Sequence, residues 1–263
     1  MRREFDSKGV LESLKDFQQN TVEYVFRRMY LDNNPALRFL VADEVGLGKT
    51  LVARGIIAKA IEHLRDIAQT ERIDIVYICS NAAIARQNVN RLDVLGEGRG
   101  ALPTRLTLLP LHLHDLSEND INFISFTPGT TFNLRSATGI VEERSLLYRL
   151  LAPISENSIG LANFLRCGVS VDNWQHWITD RQPNDVNREL GQQFIDAVQD
   201  DVKLCGELQA LSREMETYSE LIPNHLRSPR DKLIGDLREK LARVCVDALE
   251  PDLIILDEFQ RFS

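Results

Sequence analysis

Apolar positions in the first half of the chain alternate between stripes at helical spacing and short continuous runs. One stripe, which ends near Met29, predicts a helix from about Lys15 to Leu31. A second stripe, with apolar residues three and four positions apart, predicts another helix and consists of Ala53, Ile56, Ile57, Ala60, Ile61 and Leu64. Each predicted helix therefore has one apolar face to bury against a core.

The continuous apolar runs are short and lie next to loop-forming residues. ALRFLVAD (residues 36–43) and IDIVYICS (73–80) are typical of strands that are buried on both faces of a parallel sheet. TRLTLLPLHL (104–113) and INFISFTPGTTF (121–132) are also strand-like. Because these runs alternate with helical stripes, we expect an α/β fold with a mainly parallel, doubly wound and twisted sheet. Ligands of such sheets bind at the carboxyl ends of the strands.

The pattern changes in the second half of the chain, where apolar positions recur at helical spacing. One such stripe, with a period of four residues, consists of Val186, Leu190, Phe194, Val198 and Val202. Ser228 followed by Pro229 predicts a helix start, because serine is a preferred cap and proline is tolerated in the first turn. PDLIILDEFQRFS then returns to a strand pattern. We therefore expect an α/β lobe over 1–135, a long all-helical insertion over 136–249, and a strand over 250–263 that rejoins the lobe.

Composition restricts the possible partners. The formal net charge is −8, from 31 basic and 39 acidic residues, which argues against a generic basic protein that binds nucleic acid by charge alone. It leaves room for a local basic track. The four cysteines form no C-x-x-C pair, and no apolar run reaches the length of a membrane span. These features predict a cytoplasmic protein without a membrane partner.

The segment LVADEVGLGKT (residues 40–50) has the composition of a phosphate-binding loop. Gly46 and Gly48 allow the backbone to approach a phosphate closely, because neither carries a Cβ atom. Lys49 supplies a positive charge, and the hydroxyl of Thr50 can bind Mg²⁺. The segment lies between a predicted strand and a predicted helix, which is the context that such a loop requires.

The segment LIILDEF (residues 253–259) ends a predicted strand in two carboxylates. A strand of this kind presents a Walker B carboxylate to a metal ion. Asp257 is the expected Mg²⁺ ligand, and Glu258 is expected to orient and deprotonate an attacking water. Together with Lys49, these residues form the expected catalytic set of an ATP hydrolase.

Several of these stretches resemble one family. DEVGLGKT, which begins with Asp43 and Glu44, resembles motif I of the Swi/Snf-like branch of superfamily 2 helicases, and DEFQ resembles motif II, the DExx box. LKDFQQ resembles the upstream Q motif, which implies that Gln18 binds adenine. The alternative for Gln18 is an exposed residue of the predicted helix.

Two further stretches resemble elements that bind nucleic acid in this family. YICSNAAIARQN lies where motif Ia is expected and implies contacts from Asn81, Arg86 and Gln87. SFTPGTTF resembles the Thr-Pro-Gly element that grips the nucleic-acid backbone, which implies contacts from Thr127 and Gly129. The alternatives are a strand-end cap, a solvated helix face and an ordinary turn.

The resemblance implies a RecA-like P-loop NTPase lobe that binds ATP and Mg²⁺ and takes part in ATP-driven translocation along DNA, generally double-stranded. Members of the family also act in bacterial genome (antiphage) defence, so the resemblance implies this as a possible role. Gln260 replaces the commoner residue of motif II, and the helical insertion has no counterpart in the family pattern. The chain stops five residues after Glu258, so a second RecA-like lobe with its arginine finger is expected to be absent. We therefore expect ATP binding with weak or no turnover by the isolated chain.

Two other functions are compatible with the sequence. One is a nucleotide-dependent module that binds a protein partner and has no motor activity, which the net charge of −8 suits better than DNA binding. The helical insertion is a candidate accessory element, either for contact with a DNA duplex or for docking of a protein partner. The other is an unrelated P-loop enzyme such as a kinase, against which Asp43, Glu44 and the DExx ending argue.

Overall fold

The computed structural model describes residues 5–42, 47–66, 70, 72–95, 101–103, 105–112, 119–127, 138–179, 186–218 and 222–257. The chain divides into two compact units. The first, called the α/β unit below, comprises Met1–Pro103, Asn119–Thr127 and Pro251–Ser263. The second, the helical unit, comprises Thr104–Glu118 and Pro128–Glu250.

The α/β unit is a mixed α/β structure with a parallel sheet. Its described helices are α1 (Lys8–Glu12), α2 (Asp16–Phe26), α3 (Lys49–Asp66) and α4 (Ala82–Leu92). A π-helical turn, Arg27–Leu31, continues α2, so the helix predicted from Lys15 to Leu31 is confirmed. Its described strands are β1 (Ile73–Cys79), β2 (Ala101–Pro103), β3 (Ile121–Phe126) and β4 (Leu253–Asp257).

The four described strands form one sheet in the order β2-β3-β1-β4, and every pair is parallel. The side chains of β1 are nearly all buried, as expected for a central parallel strand made of β-branched and apolar residues. β4 pairs with β1 in a register that sets Leu253 beside Ile75 and Asp257 beside Cys79. The last described residue of the chain therefore lies at the carboxyl end of the sheet.

The core of the α/β unit lies where α2, α3 and α4 pack with the sheet. Val22, Ile57, Ile61 and Ile75 are among its fully buried side chains. Gly55 permits the close approach of α2 and α3, because a Cβ atom at this position would lie 2.7 Å from Val22 Cγ2. The apolar stripe predicted for α3 is therefore the packing face of that helix.

The buried strand predicted over residues 36–43 is wrong for the part that the structure describes, 36–42. This segment belongs to no strand of the sheet, and Leu37 and Leu40 are 93% and 84% exposed. Val41 packs against the core, and the Phe39 ring contacts Tyr24 of α2 edge-on. A continuous apolar run is typical of a strand buried on both faces, but this segment pairs with none of the described strands, so much of its apolar surface stays exposed.

Two other sequence predictions are wrong in the helical unit. Residues 106–111 form a 3₁₀ helix instead of a strand, and Pro110, which has no backbone N–H to donate to a sheet, lies inside it. The helix expected to begin at Ser228 begins at Asn224 and includes Pro229. Its start lies a turn earlier because Leu226 is buried and extends the packed face of the helix.

The helical unit contains six described α-helices. They are α5 (Val141–Leu151), α6 (Ser158–Arg166), α7 (Val171–Thr179), α8 (Arg188–Gln199), α9 (Val202–Glu214) and α10 (Asn224–Ala248). A 3₁₀ turn, Met215–Thr217, follows α9. Val202 is exposed, although the stripe predicted it as buried, because α8 ends at Gln199 and Asp201 caps a new helix. None of the helices in the described part of the chain is long and apolar enough to cross a membrane.

A buried carboxylate ties the helical unit together. Glu143, in the first turn of α5, is fully buried and accepts hydrogen bonds from Ile140 N at 2.8 Å and Thr107 Oγ1 at 2.6 Å. It also pairs with Arg238 of α10 at 3.0 Å and with Arg105 at 3.2 Å. Because a buried charge is costly unless it is paired and hydrogen-bonded, these partners fix α5 against α10 and the 3₁₀ helix.

Two glycines of the helical unit should respond in opposite directions to alanine. A Cβ at Gly160 of α6 would lie 1.6 Å from the Ser212 carbonyl oxygen of α9, whereas a Cβ at Gly206 of α9 would have no atom within 4 Å. We expect Gly160→Ala to lower the free energy of unfolding by about 1–3 kcal/mol through overpacking. Gly206→Ala should raise it by about 0.5–1 kcal/mol, because alanine favours the helix.

Urea unfolding of both variants and the wild type, followed by circular dichroism, measures these changes. A change of the same sign in both variants would contradict the close contact between α6 and α9.

Candidate functional site

The start of α3 has the geometry of an anion-binding helix terminus. Gly48 has a positive φ of 82°, and its carbonyl oxygen accepts hydrogen bonds from Leu51 N at 2.8 Å and Val52 N at 3.2 Å. Lys49 is the first residue of the helix. The backbone N–H groups of a first helical turn and the helix dipole attract negative charge, and phosphate groups are frequent ligands of such termini.

Gln18 connects α2 to this loop. Its side chain is buried, its Nε2 donates to the Leu47 carbonyl at 2.9 Å, and its Oε1 accepts from Lys15 N at 3.0 Å. A Cβ at Gly48 would lie 2.6 Å from Gln18 Nε2, so the glycine is required both for its φ and for this contact. The structure therefore places Gln18 against Leu47 and Gly48 at the start of α3, and the exposed position considered as the alternative is wrong.

One cavity brings together residues from distant parts of the sequence. It has a volume of about 660 Å³, and its lining includes Lys49 and Thr50 from the start of α3 together with Tyr77 and Asp257 from β1 and β4. The parallel sheet explains this arrangement, because the carboxyl ends of its strands meet at one edge and ligands bind there. The cavity also extends along the whole length of β4, from Pro251 to Asp257.

Most of the cavity lining is apolar, but the side chains of Lys49, Thr50 and Asp257 suit an anionic ligand that carries a divalent cation. The threonine hydroxyl and the aspartate carboxylate are hard oxygen ligands, which Mg²⁺ prefers, and the lysine is a point charge for phosphate oxygens. The described residues contain no group of three or more His, Cys, Asp or Glu side chains that could hold a metal. A Mg²⁺ ion at Thr50 and Asp257 would therefore take its other ligands from the anion and from water, as this ion commonly does.

The carboxylate of Asp257 is held by two side chains that the sequence patterns did not identify. Its Oδ2 accepts a hydrogen bond from the Tyr77 hydroxyl at 2.7 Å and from Asn88 Nδ2 at 3.1 Å. Asn88 Nδ2 also donates to the Tyr77 oxygen at 3.0 Å. Burial raises the pKa of the Tyr77 hydroxyl, and its hydrogen bond to Asp257 raises that pKa further. The phenol therefore stays protonated as a donor at neutral pH.

Both residues leave a weak signal in the sequence. Asn88 lies on the apolar face of α4, between the buried Ala85 and Leu92, where a polar side chain is unexpected. Tyr77 is the only residue with a hydroxyl in the run IDIVYIC. A buried polar group needs a partner, so both positions could have been flagged, although not matched to Asp257.

The candidate nucleic-acid residues are only partly positioned for that role. Asn81 caps α4, because its Oδ1 accepts a hydrogen bond from Ala83 N at 2.8 Å. This is the capping role given above as the alternative to nucleic-acid binding. Gln87 is exposed on α4. Arg86 lies in α4, but its side chain is outside the described residues. Thr127 is only 6% exposed, so a direct contact would require it to be uncovered first.

Six residues of the sequence hypothesis lie outside the described part of the structure. They are Asp43, Glu44, Gly46, Gly129, Glu258 and Gln260. Among the described residues, the structure brings Gln18 to the loop at Gly48, and Lys49, Thr50 and Asp257 to one cavity.

Two adjacent glutamines provide a test of the contact between α2 and the loop. Gln19 Nε2 donates to the carbonyls of Leu11 and Leu14, whereas Gln18 Nε2 donates to that of Leu47. We expect Gln18→Ala to speed amide hydrogen exchange at Leu51 and Val52 by about 5- to 30-fold. This corresponds to a decrease of about 1–2 kcal/mol in the free energy of local opening.

Gln19→Ala is the matched control and should leave exchange at the loop unchanged. Mass spectrometry of deuterium uptake over residues 47–53 measures both effects. Equal protection of these amides in Gln18→Ala and the wild type would show that the contact does not hold the loop.

Comparisons with known proteins identify no relative of this chain. No family model, no curated protein and no solved structure matches it. The arguments for a function therefore come from the motifs and from the geometry of the cavity.

Proposed function

We propose that the α/β unit is the ATP-binding motor lobe of a Swi/Snf-like superfamily 2 helicase or translocase that acts on DNA. The observation that carries this proposal is the shared cavity of Lys49, Thr50 and Asp257. These residues come from the two sequence motifs that resemble the family, and the motifs are separated by most of the chain. A parallel sheet with a helix N-terminus at its carboxyl edge supports the RecA-like form of the fold.

In this proposal the start of α3 binds the triphosphate. The backbone at Gly48 and the first turn of the helix face the phosphates, and Lys49 neutralises charge on the β- and γ-phosphates. Thr50 and Asp257 would hold Mg²⁺, which supplies charge neutralisation on the phosphate oxygens when it is bound. Gln18 fixes the loop from α2 through its contact with Leu47, and because it is only 3% exposed, adenine binding by its side chain would require it to be uncovered first.

Hydrolysis is proposed as an in-line attack of water on the γ-phosphorus. Glu258, which follows Asp257 in the sequence, would orient the water and accept its proton, while the bond between the γ-phosphorus and the bridging oxygen breaks. Lys49 stabilises the negative charge on the transferring group. A second lobe would add an arginine finger, which raises comparable rates by roughly 10³ to 10⁵.

DNA would contact the α/β unit through the exposed side of α4 near Gln87. The net charge of −8 means that such contacts must be local, because the overall charge opposes approach to a polyanion. A second candidate function is the nucleotide-dependent protein-binding module. It is favoured by the exposed apolar side chains of Leu37 and Leu40, which suit a protein partner better than DNA.

ATP binding should depend on one of two lysines in α3. Lys49 lines the cavity. Lys59, further along the same helix, donates a hydrogen bond to Glu23 of α2. We expect Lys49→Ala to weaken the affinity for Mg²⁺·ATP by about 10- to 100-fold, because a charge-assisted hydrogen bond contributes roughly 1.5–3 kcal/mol. Isothermal titration calorimetry on the 263-residue chain measures the affinity.

Lys59→Ala removes the same charge from the same helix and should leave the affinity unchanged. If the wild-type chain bound no ATP, or if both variants lost binding equally, the proposed nucleotide site would be wrong.

The motor and the protein-binding module differ in their response to DNA. The motor predicts that affinity for a fluorescent DNA duplex changes when ATP is added, falls with salt as phosphate contacts require, and is reduced by Gln87→Ala. Fluorescence anisotropy at several salt concentrations measures this, with Gln193→Ala, an exposed glutamine of α8, as the control. Intact ATP binding without any duplex binding would favour the protein-binding module.

A further inference from the structure

We propose that Tyr77 and Asn88 are positioning residues that orient the Asp257 carboxylate toward the metal ion. This inference rests on the proposed function, in which Asp257 is a Mg²⁺ ligand. It adds two residues to the site that neither the phosphate-loop motif nor the DExx motif contains.

The three side chains form a closed set of hydrogen bonds. The Tyr77 hydroxyl donates to Asp257 Oδ2, and Asn88 Nδ2 lies within hydrogen-bond distance of both Asp257 Oδ2 and the Tyr77 oxygen. Two donors on one carboxylate oxygen fix the plane of the carboxylate and leave its direction little freedom.

The residues that hold Asp257 are themselves rigidly placed. Tyr77 lies on the central strand β1 and is 2% exposed, and Asn88 lies on the packed face of α4 and is 7% exposed. Asp257, by contrast, is the last residue of β4, which pairs only with β1 among the described strands. A carboxylate at the end of such a strand is oriented by the side chains that donate hydrogen bonds to it. In other proteins, donors of this kind orient metal-binding carboxylates and so affect metal affinity.

A purely structural role for the same contacts makes a different prediction. If Tyr77 and Asn88 only satisfied one another in the core, their loss would change the free energy of unfolding and leave metal binding intact. If they position the carboxylate, their loss changes the metal dependence of ATP binding. The affinity for ATP in the absence of metal distinguishes the structural role from the positioning role. Asp257 contributes to ATP affinity only through the metal ion, so a positioning role leaves the metal-free affinity unchanged.

The experiment compares Tyr77→Phe and Asn88→Ala with the wild type in titrations of Mg²⁺ at a fixed ATP concentration, and of ATP in the presence of EDTA. We expect the Mg²⁺ concentration for half-maximal ATP binding to rise about 10- to 100-fold in each variant, as for other residues that orient metal ligands. ATP affinity in EDTA should stay at the wild-type value. Tyr77→Phe keeps the ring, so its packing in the core is preserved.

Matched controls are Tyr24→Phe and Asn90→Ala, which change exposed residues of the same types on α2 and α4. Both should titrate like the wild type. The electron paramagnetic resonance spectrum of Mn²⁺ bound with ATP gives an independent readout, and we expect it to differ from the wild-type spectrum only in the Tyr77 and Asn88 variants.

The outcomes separate this inference from the proposed function. If the wild type binds Mg²⁺·ATP, Lys49→Ala weakens that binding, and the Tyr77 and Asn88 variants show wild-type Mg²⁺ dependence, the positioning role is wrong while the nucleotide site stands. A loss of affinity in EDTA equal to that in Mg²⁺ would also overturn it, because the effect would then be structural. If the wild type binds no ATP, the proposed function itself fails.

Discussion

The pairing of β4 with β1 is the interaction on which the candidate site depends. It places the end of the described chain beside residues from the first third of the sequence, with Asp257 opposite Cys79. A pair of contacts at the other end of the strands fixes the register, because Asp252 N donates to the Asp74 carbonyl at 2.9 Å and Asp252 Oδ2 accepts from Asp74 N at 2.8 Å. A slip of one residue would turn Asp257 to the opposite face of the sheet and away from Tyr77.

Two contacts local to the cavity complete the arrangement that the sheet begins. Gln18 holds the carbonyl of Leu47 next to the start of α3, and the Tyr77–Asn88 pair holds the carboxylate of Asp257. The site is therefore supported by buried amide and hydroxyl groups on α2, β1 and α4. Such groups stabilise only one geometry, since each loses its partner when the backbone moves.

The sequence predicted the parts of the fold that depend on local pattern. The apolar stripe of α3 and the continuous runs of β1 and β3 became the elements expected of them, because each packs as its own periodicity requires. The segment at 36–42 failed because burial of a continuous apolar run depends on a neighbouring strand that no local pattern reveals. For the site, motif spacing predicted Lys49, Thr50 and Asp257, whereas the partners Tyr77 and Asn88 emerge only from tertiary packing.

Among the described strands β4 pairs only with β1, which has a consequence for how the chain behaves in concentrated solution. Ile254 and Leu256 of β4 are about half exposed, and Leu37 and Leu40, on the segment that lines the same cavity, are exposed far more. A strand edge with apolar side chains is a template for pairing with another chain, which is the route to aggregation. The net charge of −8 opposes such contacts through mutual repulsion, so high salt, which screens this repulsion, should favour self-association of the polypeptide.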